Sequence, residues 1–104
     1  IGSGSNTTRG IWTGGNYADV IQYITIASTG NATDFGDLSS SSEDNTAVTD
    51  ATKMAISLAN VSNSRVDTID QITIASTGNA TDFGNLTVAK QSTGGASSVH
   101  GGLG

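Results

Sequence analysis

The stretch Ile24–Gly36 has the sequence ITIASTGNATDFG, and the same thirteen letters return as Ile72–Gly84. The offset between the two copies is 48 residues (from 24 to 72). An identical stretch at a fixed period indicates that one supersecondary unit has been duplicated, and that each copy covers its apolar face by packing against the next. The chain is therefore expected to be a repeat protein.

The composition predicts that the two copies need further partners. A chain of 104 residues allows one domain at most, and small domains bury only about 60% of the surface that their unfolded chain exposes. Cysteine is absent and aromatic residues make up 5% of the chain, so neither disulfides nor a large aromatic core stabilise it. We expect association with more copies of the same chain, or with the rest of a longer chain, to supply the missing burial.

The charge balance excludes two classes of partner. The formal net charge is −5, with only four Lys and Arg residues, so the basic surface that nucleic-acid binding requires is missing. The same argument disfavours anionic membrane surfaces. Insertion into a membrane is not expected either, because no apolar run approaches the roughly 20 residues needed to span a bilayer.

Alternating apolar residues predict strands in both copies. In the first copy we expect strands at Arg9–Gly15, at Val20–Ile26, which is apolar on much of both faces, and at Thr33–Leu38, which carries one buried aromatic. The second copy repeats the pattern, and its strands are expected at Lys53–Asn60, Val66–Ile74 and Asn79–Leu86. A helix at 52–60 is compatible with residue propensities, but the repeat favours a strand.

Three segments follow from this alignment. Residues 1–52 form repeat unit 1 and end in a polar, acidic segment, 39–52, that is predicted to be an exposed loop. Residues 53–98 form repeat unit 2. A base follows a small or β-branched residue at Arg9, Lys53 and His100, so residues 99–104 are predicted to be the first strand of a third unit.

The predicted fold class is all-β, with four-stranded antiparallel blades of a β-propeller type and about two blades in the chain. Four short strands in about 40–50 residues are typical of a propeller blade. Propellers close with roughly four to eight blades, so two would have to be completed by oligomerisation or by a longer parent chain. Axial stacking of the repeats into a solenoid-like fibre is the alternative.

A family resemblance supports the propeller. The segments RGIWTGG (Arg9–Gly15), VIQYITI (Val20–Ile26) and GNATDFGDL (Gly30–Leu38) resemble the kelch-like repeats of structural and tail-fibre proteins of marine bacteriophages, cyanophages in particular. The resemblance is weaker at Lys53–Asn60, where Ala59 and Asn60 replace the double glycine. It implies a viral structural protein at the virion surface or elsewhere outside cells, with a receptor-binding role, and it supplies no catalytic residues.

One candidate ligand site lies beside Gly14 and Gly15. Trp12 and Tyr17 could stack on a sugar ring, and Asn16 and Asp19 could supply hydrogen bonds, as in a lectin. A cell-surface glycan is therefore a candidate partner. Alternatively, Trp12 fills the gap between adjacent blades, which is the ordinary use of an aromatic residue in a propeller.

A second candidate site consists of oxygen ligands that recur in both copies. Calcium binds six to eight such oxygens, and these residues are Asn31, Asp34, Asp37, Asn79, Asp82 and Asn85. Alternatively, the same side chains cap local backbone N–H groups in turns. The second copy has Asn85 in place of Asp37, which weakens a site that depends on charge. A calcium-stabilised adhesive module is thus an alternative function.

No enzyme is predicted, because no nucleophile, base and orienting group are marked by the sequence. The leading hypothesis is a non-enzymatic structural or binding repeat protein that assembles with itself and binds glycans. A fibre subunit without a ligand is the alternative.

Overall fold

The computed structural model describes residues 2–90 of the chain, and these residues form strands and turns. None of them belongs to a helix capable of spanning a membrane. The strands are β1 (Gly2–Ser5), β2 (Arg9–Thr13), β3 (Ala18–Thr25), β4 (Thr33–Ser42), β5 (Thr46–Thr49), β6 (Lys53–Ser57), β7 (Asn60–Val61), β8 (Ser64–Thr73) and β9 (Thr81–Lys90). The absence of proline from the whole chain suits this content, since every residue can donate to a ladder.

The strands form two antiparallel sheets. The first sheet has four strands in the order β1-β2-β3-β4. The second has five, because β8 pairs with β6 along its later residues, with the short β7 at its start, and with β9 on the opposite side. We call the sheet β1–β4 unit 1 and the sheet β5–β9 unit 2. The all-β class and the antiparallel pairing are as predicted.

Each strand of unit 1 has a counterpart in unit 2. The offset is 44 residues for the first two strands, as from Arg9 to Lys53, and 48 for the last two, as from Thr33 to Thr81. The four additional residues lie between β6 and β8, where they form β7 and its turn. Unit 2 therefore departs from the predicted four strands because of this insertion.

Matching turns confirm the correspondence of the two units. Asn6 Oδ1 accepts the N–H groups of residues 8 and 9, and Asp50 Oδ1 accepts those of residues 52 and 53, with all four distances between 2.7 and 2.8 Å. The β2–β3 turn has Asn16 and Tyr17 at φ 51° and 55°, and the β7–β8 turn has Ser62 and Asn63 at 52° and 62°. Two successive left-handed residues are the type I′ geometry that matches the twist of a hairpin.

The two units pack front to back. In each unit one face of the sheet carries a phenylalanine, and we call it the Phe face. The opposite face, which we call the Ile face, carries the two isoleucines of the ITIASTG stretch, Ile24 and Ile26 in unit 1 and Ile72 and Ile74 in unit 2. The core joins the Phe face of unit 1 to the Ile face of unit 2. Its buried residues are Ile11, Ile21, Phe35 and Leu38 from unit 1 and Met54, Ile56, Leu58, Ile72 and Ile74 from unit 2.

Two boundary predictions need correction. The segment 39–52 is not a loop: 39–42 extend β4 and 46–49 form β5, because β5 finds a partner in β6. The change of sheet therefore falls at residues 43–45 rather than after residue 52. The predicted strand at residues 99–104 lies outside the described part of the chain.

Candidate functional site

A backbone contact joins the two copies of the GNATDFG motif. The turn before β9 lies along the outer edge of β4: the N–H of Gly78 donates to Phe35 O, and the N–H of Ala80 donates to Asp37 O, both at 2.8 Å. Asn79 Oδ1 accepts the N–H of Asp37 at 3.1 Å. One motif thus supplies the edge and its repeat supplies the turn that covers it.

Gly36 is required for this close approach. Its φ is 155°, and a Cβ at this position would lie 2.1 Å from the carbonyl oxygen of Gly78. A backbone atom cannot move aside as the end of a side chain can. The glycine of TDFG therefore permits the turn of the second unit to reach the edge of the first.

A buried carboxylate provides a second connection between the units. Asp70 of β8 is fully buried, and its carboxylate accepts the N–H and the hydroxyl of Ser39 of β4 at 2.8 and 2.9 Å. A buried polar group needs such partners, because desolvation without them is costly. The two hydrogen bonds therefore fix the register of unit 1 on unit 2.

Arg9 provides a third connection. Its guanidinium carbon lies 4.4 Å from the centre of the Tyr23 ring, and Nη1 donates to Ile74 O at 2.8 Å. Tyr23 in turn meets Phe35 edge-to-face, with ring centres 5.8 Å apart. Cation–π and edge-to-face contacts of this kind are each worth roughly 0.5–1.5 kcal/mol beyond the burial of area.

The two outer faces of the pair expose large apolar side chains. On the Ile face of unit 1, Trp12 and Ile26 are 42% and 54% exposed, and on unit 2 Phe83 and Val88 are 56% and 60% exposed. Phe83 thus differs from its identical counterpart Phe35, which is 3% exposed. The prediction of a buried aromatic in each unit is confirmed for unit 1 and wrong for unit 2, because no sheet covers the Phe face of unit 2 within the described residues.

The four predicted ligand residues are not brought together in one pocket. Trp12 lies in an open groove of about 420 Å³ on the outer face of unit 1, together with Val20 and Gln22. Tyr17 turns towards unit 2, where its hydroxyl donates to Asn63 Oδ1 at 2.6 Å. Asn16 is exposed and Asp19 is half-buried.

The surroundings of Tyr17 affect its ionisation. Desolvation raises the pKa of the phenol above its usual value, and the neighbouring Glu43 raises it further. The neutral hydroxyl is therefore favoured, which suits its role as a donor to Asn63. This hydrogen bond connects the two units at their turns.

The predicted calcium ligands are distributed between the two units. Asp37 and Asn79 do meet, but the contact is the amide-to-oxygen hydrogen bond that docks the turn. Among residues 2–90, no group of three or more Asp, Glu, His or Cys side chains is placed to hold a metal. The remaining members, Asn31, Asp34, Asp82 and Asn85, are exposed.

Asp70 and Ser39 are important residues that the sequence pattern did not single out. Asp70 stands where unit 1 has Gln22, within a strand that is otherwise closely repeated. The signal that could have identified Asp70 is the presence of an acidic residue in the middle of an alternating apolar strand. Its partner could not be foreseen, because Ser39 lies among four consecutive serines.

Comparison of the chain with protein-family models, with curated proteins and with solved structures finds no match. Any assignment of function therefore depends on the geometry of the two units and on the residues that they expose.

Proposed function

We propose that this chain is a non-enzymatic structural repeat protein that functions by assembling with further copies of its own repeat, on other chains or on a longer one. A single observation supports this proposal. The Phe face of unit 1 is buried by the Ile face of unit 2, while the same two faces at the ends of the pair expose Trp12, Ile26, Phe83 and Val88. Apolar patches on both ends of a small soluble pair are typical of interaction surfaces.

Two arrangements are compatible with front-to-back packing. Adjacent blades of a propeller contact each other in this way around an axis, and the repeats of a solenoid stack in this way along a line. We favour a propeller-type ring, because the length of the repeat and its four strand positions are typical of a blade. A fibre of axially stacked repeats is the alternative. The setting that we propose, a virion surface or another extracellular structure, depends on the resemblance to tail-fibre repeats.

Glycan binding is a second candidate function. The observation that favours it is the groove beside Trp12, whose ring is 42% exposed. An exposed indole face beside an amide such as Gln22 suits a sugar ring. The groove lies on the Ile face that assembly would cover. A bound sugar and a neighbouring repeat would therefore compete for one surface, and a lectin function would be confined to the end of an assembly.

The test of assembly is size-exclusion chromatography with light scattering, at concentrations from about 1 μM to 1 mM. We expect the mass to rise with concentration above that of one chain, because both outer faces expose apolar side chains. A chain that stays monomeric throughout would contradict the proposal. Negative-stain electron microscopy of the assembled fraction then distinguishes rings from fibres, and a glycan array on the monomeric fraction tests the groove.

A further inference from the structure

We propose that a second copy of this chain binds head to tail on the outer face of unit 2, with its Gly30–Ala32 turn on the edge of β9 at Phe83–Asn85. This inference rests on the proposed function, because it names the contact through which the repeats assemble. The occupant is a second copy since the chain contains both halves of this contact twice: once joined inside the molecule, and once on its two outer faces.

The backbone part of the contact can be repeated without change. Inside the molecule, the N–H groups of Gly78 and Ala80 donate to β4, and the turn Gly30–Ala32 has the same sequence as this donor turn. The edge Phe83–Asn85 differs from its counterpart only in having Asn85 where unit 1 has an aspartate. That position contributes its backbone N–H and C=O to the internal contact, so the change of side chain leaves these groups in place.

As far as the described residues go, the edge of β9 is open to this turn. Within the described residues β9 pairs only with β8, on one side. Among residues 2–90, nothing lies within 4 Å of a Cβ placed on Gly84, whereas a Cβ on its counterpart Gly36 meets the docked turn. An open strand edge beside an exposed Phe83 is the kind of surface that recruits another chain.

The cavities beside the turns show what each Phe side chain contributes. In unit 2, a cavity of about 300 Å³ between the turn and β8 has Phe35 of unit 1 as one wall. The equivalent cavity of unit 1, about 170 Å³, is lined by the matching turn residues and β3, without a phenylalanine. In the head-to-tail contact, Phe83 of the neighbouring copy supplies this wall.

The hydrogen bonds between Asp70 and Ser39 have an uncharged counterpart on the outer faces. Inside the molecule Asp70 accepts two hydrogen bonds from Ser39. The counterparts on the outer faces are Gln22 and Thr87. Asp70 uses one carboxylate oxygen for each bond, whereas the single amide oxygen of Gln22 has two lone pairs and can accept both the N–H and the hydroxyl of Thr87. The contact between copies therefore buries no carboxylate, which favours association of chains with a net charge of −5.

The sizes of facing residues are exchanged between the internal and the outer contact. Inside the molecule, Gly4 of β1 faces Met54 of β6, and a Cβ on Gly4 would lie 3.1 Å from the Met54 sulfur. Their counterparts are Val48 on unit 2 and Gly10 on unit 1. Between copies, the larger Val48 would thus face the smaller Gly10. A large residue opposes a small one in both contacts, which keeps the packing distance similar.

The contact is heterologous, because two different surfaces meet. Such interfaces produce rings if the rotation closes and open filaments if it does not. Every copy therefore has one donor face, the Ile face of unit 1, and one acceptor face, the Phe face of unit 2. Blocking either face ends growth at that side only, and this property distinguishes the inference from any symmetric dimer.

Two substitutions block the faces separately. Phe83→Asp places a charge on the acceptor face and Ile26→Asp places one on the donor face; both side chains are more than half exposed, at 56% and 54%, so the separate chain should tolerate the change. In the contact the charge would be buried without a partner. We expect the dissociation constant to rise at least about 100-fold. Ser62→Asp, in the exposed β7–β8 turn, is the charge-matched control.

Sedimentation velocity of the single variants and of their mixture gives the decisive result. Each blocked variant should sediment as one chain, and the Ser62→Asp control should assemble like the wild type. An equimolar mixture of Phe83→Asp and Ile26→Asp should form a species of two chains and nothing larger, because each variant supplies the face that the other lacks. Circular dichroism confirms that each variant is folded.

The contrary outcomes are distinct. Blocked variants that assemble like the wild type, or a mixture that stays monomeric, would overturn the head-to-tail contact while leaving self-assembly in place. An Ile26→Asp variant that dimerises alone would show a symmetric interface through unit 2. A wild-type chain that remains monomeric at about 1 mM would overturn this inference and the proposed function together.

Discussion

Phe35 and Phe83 provide a matched pair for measuring what the second sheet contributes to the first. Both occupy the sequence TDFG and both belong to the last strand of a unit, but Phe35 is 3% exposed and Phe83 is 56% exposed. Phe35 also meets Tyr23 edge-to-face at 5.8 Å. Replacing each with Ala changes the same side chain in the same local sequence, so the difference in effect reports the cover that unit 2 gives to unit 1.

The expected effects are far apart. Truncation of a fully buried phenylalanine costs about 3–5 kcal/mol, and the ring contact with Tyr23 places Phe35→Ala towards the upper end. A half-exposed position loses much less, and Phe83→Ala should cost less than about 1 kcal/mol. For a chain of this size the first change should lower Tm by at least about 12 °C, since 1 kcal/mol shifts Tm by roughly 4–8 °C.

Urea denaturation followed by circular dichroism measures both variants. The measurements should be made at low micromolar protein concentration. At higher concentration, association would bury Phe83 and add to the stability of the wild type by mass action. If the two alanine variants lose equal stability, unit 2 does not cover Phe35 as described, and the front-to-back packing of the units is refuted. If Phe83→Ala becomes costly only at high concentration, the difference reports assembly.

Three further predictions follow from single contacts. Ser39→Ala removes a hydrogen bond from the buried Asp70 and should lower the free energy of unfolding by about 1–3 kcal/mol, whereas Thr87→Ala, its exposed counterpart, should change it by less than about 0.5 kcal/mol; denaturant titration that shows equal losses would contradict this. The backbone N–H groups of residues 53 and 52 lower the pKa of Asp50. The contribution of this carboxylate to stability is therefore present above the unfolded pKa of about 3.9, and it is lost as the pH falls through the lower folded pKa. Asp50→Asn, which copies Asn6, should therefore lose less stability than the wild type between pH 5 and about pH 2; identical acid limbs in thermal melts would argue against it. Chelation with EDTA should leave Tm unchanged, because the oxygen of the docking turn is already occupied by a backbone amide; a fall of several degrees would support the calcium hypothesis.

Much of the strand arrangement could be predicted because it depends on local alternation. The strand at 20–26 is apolar on both sides, and the structure explains why: Ile21 is buried in the core, while Ile24 and Ile26 belong to the outer Ile face. In unit 2 the sides are exchanged, so that Ile72 and Ile74 are buried. A strand that uses one side in one copy and the other side in the next must be apolar on both.

The strand β1 could not be predicted from propensity, and β5 (Thr46–Thr49) lies inside a polar, acidic segment whose composition is typical of a loop. Gly2–Ser5 contains only glycine and serine, which are poor strand formers. It becomes a strand because it pairs with β2, and its glycines allow unit 2 to approach closely. Nor could any local rule distinguish Phe35 from Phe83. Identical sequences differ in burial only through what lies opposite them, and that information is in the tertiary contact.

The differences between the units account for why one stacking contact is internal and permanent while its counterpart would be reversible. The four residues inserted in unit 2 form β7, and Asn60 of β7 accepts the N–H of Glu43 at 3.0 Å. Asn45 adds a hydrogen bond to Leu58 O at 3.1 Å. Both contacts hold the connection between the sheets, and unit 1 has only the short 14–17 turn at the equivalent place. A second copy would repeat the docked turn and the apolar face. It would lack the hydrogen bonds made by Glu43 and Asn45 and the covalent link between the sheets. The outer contact should therefore be weaker than the inner one, as a reversible assembly requires.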